Sequence, residues 1–375
     1  MLLSRGSILG ATLPTIAEVP EVKQEEIKQL EKTEIVQDTV DTEVESEVLV
    51  EPLISVEPIT ITLSFAGDFT LGKDAITQVY NTLPRMYEAV GKDPTYFLKN
   101  VKEIFSNDDL TFVNLETTLT TATKMQSKKF RFKGAPEYRD ILIDGSIEVV
   151  NIANNHTMDY LQQGYTDTQA NLDLVKIGYV SGSITYIKEV KGVKIGVMGY
   201  KGWDNSKTTK DSIAKNIEKL KEVGCEVIAI MFHWGNEKIN YPIYPQEDLA
   251  KFSIDNGVDV VVGGHAHVLQ SLEIYKGKPI VYGLGNFCYG GHSNPPDKDT
   301  MIFQQTFTFE NGAKSEDLDA KVIPCSITSQ ADTNNFQPTP LVDTEKARVI
   351  DRLNTFSNGR NLEIDPKGVI REKIK

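Results

Sequence analysis

Potential metal ligands follow the ends of five apolar segments of the chain. Each segment is a short run rich in Val, Ile or Leu, and a carboxylate, carboxamide or imidazole side chain comes shortly after it. These residues are Asp68, Glu116, Asn155, His233, His265 and His267. In open α/β sheets, functional groups collect outside the carboxyl ends of the strands. The pattern therefore predicts that the five segments are strands and that they deliver these groups to one shared site.

The donor types indicate the kind of ion that this site would bind. Two carboxylates, one carboxamide and three imidazoles form a mixed nitrogen and oxygen set, which suits divalent Mn, Fe or Zn. Six residues exceed the three or four protein ligands of a usual catalytic zinc site. They fit a pair of ions that share a bridging carboxylate and activate water for hydrolysis. The three cysteines are far apart in sequence and show no CxxC spacing, so a thiolate zinc site is not expected.

Each residue taken alone also has a simpler interpretation. His233 could be a core histidine after a buried strand, and Asn155 could be a turn residue. Asp68 and Glu116 could be helix caps or surface charges. A lone carboxylate that directly follows a buried strand is costly unless it is paired or metal-bound, however, and this favours the metal interpretation.

The elements that must position these residues alternate along the chain from Ile59 onward. Continuous apolar runs predict strands covered on both faces, at Ile59–Ala66, Leu110–Leu115, Ile147–Ile152, Lys194–Gly199, Val227–Phe232, Val258–Val262 and Pro279–Tyr282. Amphipathic spacing predicts helices from Asp93 to Phe105 and over Pro245–Asn256 and Thr344–Phe356. Two runs around Lys191-Gly192 predict a hairpin. We therefore expect an α/β domain with mixed sheets.

Charge and composition divide the chain into three parts. Residues 1–58 are expected to be a disordered acidic linker, because residues 1–57 carry 13 acidic against 4 basic side chains. The short apolar run after Arg5 leaves open that they include the remnant of a signal peptide or membrane anchor. Residues 59–340 form the predicted domain, and 341–375 a C-terminal helix and tail. Beyond residue 57 the chain has 36 basic and 40 acidic residues, a balance that argues against nucleic-acid binding.

Six short motifs occur in order along the predicted domain. They are Gly67-Asp68, Asn114-Leu115-Glu116, Asn154-Asn155-His156 with Asp159, His233-Trp234-Gly235, Gly264-His265-Ala266-His267 and Gly285-Asn286-Phe287. Together they resemble the CapA family of poly-γ-glutamate capsule synthesis proteins, a branch of the calcineurin-like metallophosphoesterase fold. The resemblance covers about residues 60–310. It implies a four-layer α/β/β/α sandwich whose two mixed sheets bring the motif loops to one edge.

The resemblance also implies a role for each motif residue. Asp68 and His267 would hold a first metal ion, and Glu116 would bridge it to a second. The other ligands of the second ion would be Asn155, His233 and His265. Since Thr70 stands where the phosphoesterase motif Asp-x-His has its histidine, the first ion is expected to bind more weakly.

Two further residues of the Asn154 motif are assigned catalytic roles by the resemblance. His156 matches a histidine that faces the leaving group and would protonate it. Asp159 would orient His156.

A basic cluster at residues 128–133 supplies two substrate-binding candidates. If Arg131 and Lys133 share a strand face, they could receive a phosphate or a carboxylate. The alternative is that this face is solvated and binds nothing.

Two classes of function fit these observations. In the first, the protein is a metal-dependent hydrolase or transferase that acts at the cell surface on an anionic polymer or a phosphate ester. In the second, it is a non-catalytic assembly factor that uses its metal site to bind polyglutamate or membrane-bound subunits of a capsule synthase. The missing first-motif histidine favours the second class, and the intact Asn155-His156 pair favours the first.

Overall fold

The computed structural model describes residues 57–76 and 78–373, so the predicted linker lies outside the described residues except for Glu57 and Pro58. The described part forms twenty strands: β1 Ile59–Thr70, β2 Lys73–Asp74, β3 Leu110–Leu115, β4 Thr118–Leu119, β5 Phe132–Gly134, β6 Val149–Asn151, β7 Gly178–Val180, β8 Tyr186–Val190, β9 Val193–Tyr200, β10 Val227–His233, β11 Val260–Gly264, β12 Leu272–Tyr275, β13 Lys278–Val281, β14 Asn286–Tyr289, β15 Asp299–Glu310, β16 Ala313–Lys314, β17 Asp319–Ser326, β18 Thr339–Pro340, β19 Leu362–Ile364 and β20 Ile370–Glu372. It also forms eight α-helices: α1 Leu83–Ala89, α2 Thr95–Leu98, α3 Lys102–Ser106, α4 Arg139–Asp144, α5 Leu161–Leu174, α6 Lys207–Glu222, α7 Tyr244–Asp255 and α8 Asp343–Phe356.

Two large sheets dominate the fold. The first has the order β18–β17–β15–β1–β3–β6–β7, with β14 beside β1 and β16 beside β15. The second has the order β12–β13–β11–β10–β9–β8. Each sheet has a parallel centre and antiparallel strands on one or both flanks, and β8 pairs with β9 in the predicted hairpin. The predicted α/β class with mixed sheets is therefore confirmed.

Neighbouring residues of the central strands belong to different hydrophobic clusters. Phe112 of β3 packs in a cluster that contains residues of both large sheets. The next residue, Val113, packs with residues of α1 to α5. In β10, Met231 likewise belongs to the cluster shared by both sheets, whereas Phe232 packs with residues of α6 and α7. Because side chains alternate between the faces of a strand, both faces are covered, which is why these strands are continuously apolar in sequence.

The predicted helix from Asp93 to Phe105 is wrong in one respect. The structure has two short helices there, α2 and α3, separated at residues 99–101. The amide of Val101 donates to the carbonyl of Leu98 at 3.0 Å, a contact three residues back rather than four. The side chain of Asn100 in the break donates to Thr339 at 2.9 Å. A contact with a distant strand thus interrupts a segment whose apolar spacing suits one helix.

The C-terminal segment packs on the rest of the domain. Val349 and Leu353 of α8 and Leu362 of β19 belong to the cluster shared by both sheets. Arg348 also makes a bidentate contact with the buried carboxylate of Asp299, with both distances at 2.7 Å. Residues beyond 340, which the sequence suggested as a helix and tail, therefore contribute to the main core. Within the described residues, no helix combines the length and the apolar character needed to cross a membrane.

Candidate metal centre

The carboxyl ends of β1, β3, β10 and β11 and the loop after β6 meet at one place between the two large sheets. Polar contacts across the gap hold the two sides together. The amide of His265, after β11 in the second sheet, donates to Oδ2 of Asp68 at the end of β1 at 3.0 Å. Oδ1 of Asn155, after β6 in the first sheet, lies 2.6 Å from Nε2 of His233. The structure thus brings all six sequence-predicted ligands into one cluster.

Glu116 occupies the middle of this cluster. Its carboxylate is fully buried, and neither oxygen has a hydrogen-bond partner. Instead, Nε2 atoms of three histidines surround Oε1: His233 at 3.3 Å, His156 at 3.7 Å and His267 at 3.8 Å. A buried carboxylate without a donor is costly. The surroundings of Glu116 therefore suit a bound cation.

Two groups of potential ligands share Glu116. Glu116, His233 and His265 present ligand atoms that all lie within 4.8 Å of one another, and so do Asp68, Glu116 and His267. The half-buried Asn155 contacts His233 and so lies beside the group of Glu116, His233 and His265. The residues and their donor types fit a pair of divalent cations, with Glu116 common to both.

Two ionisable side chains of the centre carry protons that a cation must displace. Burial raises the pKa of Glu116 to about 7. Burial would lower the pKa of His267, but the charge of Glu116 and the carboxylate of Asp68 outweigh it and raise that pKa to about 10. Burial lowers the pKa of His233 and of His265 to about 4, so both are neutral and ready to bind near pH 7. For Asp68, burial is outweighed by His267 and His233, and the pKa falls to about 2.

Metal affinity should therefore rise with pH. Below about pH 7 a cation must displace a proton from Glu116 as well as one from His267, so affinity should fall by about tenfold per unit for each proton displaced. We expect Mn²⁺ to bind more weakly at pH 5.5 than at pH 8 and to release protons on binding. Calorimetric titrations across this range, in buffers of different ionisation enthalpy, measure both quantities. An affinity that does not change with pH would contradict the proton assignment.

The two histidines after β11 adopt an unusual backbone conformation. His265 has φ 82° and His267 has φ 57°, both in the left-handed region that non-glycine residues seldom occupy. Both residues lie in a bend directly after the strand. Their rings nevertheless approach to 5.9 Å between centroids. Strained backbone of this kind concentrates at functional sites.

Gly264 makes room for Asp68 rather than supplying a special turn. A Cβ atom at residue 264 would lie 2.4 Å from Oδ1 of Asp68. The glycine therefore lets the β11 backbone pass directly over the buried carboxylate.

Asn114 is a site residue whose role sequence reasoning missed. Its Nδ2 donates to Asp68 at 2.8 Å and lies 3.0 Å from Nδ1 of His233. Its Oδ1 accepts from Asn151 at 3.1 Å and Asn154 at 3.2 Å. Asn114 therefore links the two sheets directly behind the ligands. The sequence did contain a feature that indicates this role. Asn114 is a lone amide inside the apolar strand β3, and it precedes Glu116 by two residues, which places both side chains on the same face.

Asn286 positions His267 in a similar way. Its Oδ1 lies 2.9 Å from Nδ1 of His267, and its Nδ2 donates to the carbonyl of the same histidine at 3.2 Å. Such partners fix the orientation of a ligating imidazole. This contact gives the Gly285-Asn286-Phe287 motif a structural reason.

His156 belongs to a short polar chain beside the ligand groups. Nδ1 of His156 lies 2.6 Å from Oδ2 of the fully buried Asp159. The amide of Phe132 donates to the same oxygen at 2.5 Å. Lys128 forms an ion pair with Asp159 and donates to the carbonyl of Asn155 at 2.8 Å. Sequence reasoning missed this role of Lys128.

Arg131 and Lys133 do not face the centre. Lys133 donates to the carbonyl of Ala122 at 2.9 Å and lies over the ring of Tyr160, beside a separate cavity. Phe132, between them, packs against His156 with the two rings tilted by 36° and their centroids 4.2 Å apart. Because side chains alternate along a strand, the side chains of Arg131 and Lys133 point away from His156. Binding of a phosphate or a carboxylate by Arg131 and Lys133 stays a prediction, for a position away from this centre. Lys128 is the member of the basic cluster that reaches the centre.

A cleft of about 350 Å³ opens over the centre on the side of His156 and His267. Aromatic side chains line much of it: Phe130, Phe132 and Tyr289. His156 and His267 both belong to its lining.

Comparison with known proteins agrees with the motif pattern. A family model described as "Bacterial capsule synthesis protein PGA_cap" matches residues 62–290. The chain is 32% identical to the PGA biosynthesis protein CapA of Bacillus subtilis over 251 residues, which is 61% of this chain and 63% of that protein. It is 28% identical to the capsule biosynthesis protein CapA of Bacillus anthracis over 345 residues, which is 84% of this chain and 80% of that protein. A probable polyglutamine synthesis accessory protein of Mycobacterium tuberculosis is 26% identical over 286 residues, 65% of this chain and 72% of that protein.

Proposed function

This chain belongs to the PGA_cap family of bacterial capsule synthesis proteins, and on that premise we propose that it acts in poly-γ-glutamate capsule biosynthesis through a two-cation hydrolytic or transfer centre. The names of the two Bacillus relatives support the process. The buried carboxylate of Glu116, which has no hydrogen-bond donor and is common to two ligand groups, carries the chemical part of the proposal.

The proposed architecture is the four-layer α/β/β/α sandwich. Three hydrophobic clusters support it: one contains residues of both large sheets, one joins the first sheet to α1–α5, and one joins the second sheet to α6 and α7. Such layering brings the carboxyl ends of the parallel strands of both sheets to one edge.

The ligands divide between the two cations. Asp68, Glu116 and His267 would hold the first, and Glu116, Asn155, His233 and His265 the second. When bound, such ions lower the pKa of coordinated water and so supply a nucleophile near neutral pH. Asn114 and Asn286 hold the ligands in orientation from behind.

His156 would deliver a proton to the leaving group. Its Nδ1 is engaged by Asp159, which leaves Nε2, 3.7 Å from Oε1 of Glu116, as the nitrogen that faces the centre beside the cleft. Lys128 balances the charge of the buried Asp159, so that the pair is held in place. Substrate in the aromatic-lined cleft would present its leaving group to this nitrogen.

The division of the ligands predicts that the two cation positions fill unequally. The second group keeps four protein ligands, whereas the first keeps three because Thr70 replaces an imidazole. We expect the second position to fill at lower Mn²⁺ concentration, with His265→Ala emptying it and His267→Ala weakening mainly the first. Equilibrium dialysis with elemental analysis counts the ions in each variant. Equal loss of both ions in either variant would refute the division.

A non-catalytic assembly factor is the second candidate function. Thr70 favours it. With no histidine at this position, the group of Asp68, Glu116 and His267 has only three protein ligands, which suits binding better than catalysis. In this role the centre would bind an anionic polymer or contact membrane-bound synthase subunits at the cell surface. A metallophosphoesterase acting on another phosphate ester is the remaining alternative.

A substrate screen separates these functions. The metal-loaded protein is incubated with γ-linked polyglutamate and with a set of phosphate esters, and released ends or phosphate are measured. Metal-dependent cleavage or transfer of polyglutamate supports the proposed enzyme. Turnover of phosphate esters alone supports the phosphoesterase, and metal-dependent binding of polyglutamate without turnover supports the assembly factor.

A further inference from the structure

A carboxylate at the mouth of the centre belongs to neither of the two ligand groups that share Glu116, which are called the inner groups below. Glu237, His265 and His267 present ligand atoms that all lie within 4.8 Å of one another. Glu237 is exposed and lines the cleft, and in the described part of the chain no lysine or arginine forms an ion pair with it. Its charge therefore faces the two histidines and solvent.

The backbone fixes Glu237 opposite these histidines. The chain turns sharply after β10, with Gly235 at φ 82° and Lys238 at φ 63°. The amide of Lys238 then donates to the carbonyl of Ala266 at 2.7 Å. Because Ala266 lies between His265 and His267, this hydrogen bond docks the Glu237 loop directly on the histidine bend.

The chemistry of the three residues is that of a known kind of metal site. Two imidazoles and one glutamate are the protein ligands of many catalytic zinc sites, with further positions left open to water or substrate. We propose that Glu237, His265 and His267 form an outer cation site at the mouth of the cleft, which does not use Glu116. This inference rests on the proposed function only in taking His265 and His267 as ligands.

The outer site shares its histidines with the inner groups, and this gives it a role. An imidazole nitrogen binds one ion at a time, so an ion held by Glu237 competes with the inner positions for His265 or His267. An entering ion would be captured first at the exposed Glu237 and would then pass inward to the buried Glu116. The outer site is thus a position for loading and exchange.

The test removes the inner groups' shared ligand and leaves the outer site intact. Glu116→Gln takes the common carboxylate from both inner groups, while Glu237, His265 and His267 remain. We expect the full-length Glu116→Gln variant to bind Zn²⁺, and Glu116→Gln/Glu237→Gln to bind it at least about tenfold more weakly. The matched control is Glu116→Gln/Glu222→Gln, which removes an exposed carboxylate of α6 and should retain the affinity. Thermal melts of the apoproteins verify that each variant is folded.

Each outcome decides the proposal. Equal Zn²⁺ affinity of Glu116→Gln with and without Glu237→Gln overturns it, and so does a folded Glu116→Gln variant that binds no ion. A loss that disappears when salt is raised to about 0.5 M also overturns it, because Glu237 would then act only as a nearby charge. The two-cation centre is judged separately: it fails if wild-type protein and Glu116→Gln bind equal numbers of ions, whatever Glu237→Gln does.

Discussion

Replacing His156 with asparagine should lower the rate on substrates with poor leaving groups by about 10²–10⁴-fold, the usual contribution of general acid catalysis. Asparagine is similar in size and polarity but has no proton to give at neutral pH. His156 belongs to none of the grouped potential metal ligands, so the metal content should not change. On an activated ester, whose leaving group departs without a proton, the loss should be much smaller.

The chain offers a matched control for this experiment. His292 lines the same cleft but is exposed, and its Nδ1 accepts a hydrogen bond from the amide of Asn294 at 3.0 Å rather than contacting a buried carboxylate. His292→Asn should leave the dependence on leaving group intact. Steady-state rates on a series of esters, with metal analysis of each variant, make the comparison.

The same variant separates the two candidate functions. If the protein is an assembly factor, His156→Asn should leave capsule production nearly intact in cells, whereas Asp68→Ala or His265→Ala should abolish it. Loss of bound metal in His156→Asn would contradict both functions as proposed here, because it would make His156 a ligand.

Replacing Gly264 with alanine should disable the ligand group of Asp68, Glu116 and His267 and should destabilise the fold. The new Cβ would lie 2.4 Å from Oδ1 of Asp68, so the fully buried carboxylate must move away from Asn114 and from the amide of His265. Overpacking and the loss of these hydrogen bonds together should cost about 2–4 kcal/mol of the free energy of unfolding. We expect denaturant titration to show this loss and Mn²⁺ titration to show one binding event fewer.

Gly277→Ala is the control for the Gly264 substitution. Gly277 has φ 73° in the turn between β12 and β13, and a Cβ there would meet no atom within 4 Å. The left-handed conformation should cost about 1–2 kcal/mol, but metal binding should remain as in the wild-type protein. If Gly264→Ala binds metal as well as Gly277→Ala does, the close contact with Asp68 is not what the glycine protects.

The local pattern of the sequence was sufficient to identify the central strands. Val113 and Val150 face helices while Phe112 and Val149 face the other sheet, and burial of both faces is what makes such strands continuously apolar. The same reasoning located the polar residues at the strand ends, since a carboxylate such as Glu116 directly after a buried strand needs a partner. Local pattern failed where a distant contact intervened, as at Asn100, which breaks the predicted helix.

The shared role of Glu116, the bond of Asn114 to Asp68 and the docking of Glu237 on the histidine bend were decided only by the tertiary structure. Glu116 and His233 are 117 positions apart, and nothing in either local segment states that their side chains lie 3.3 Å from each other. Arg131 and Lys133 point away from the centre. This likewise follows from the packing of Phe132, which lies between them, against His156. The residue types and their order along the chain are written in the sequence and indicate the chemistry. The distances that divide the ligands into groups arise from packing two sheets against each other, and packing depends on contacts between distant residues.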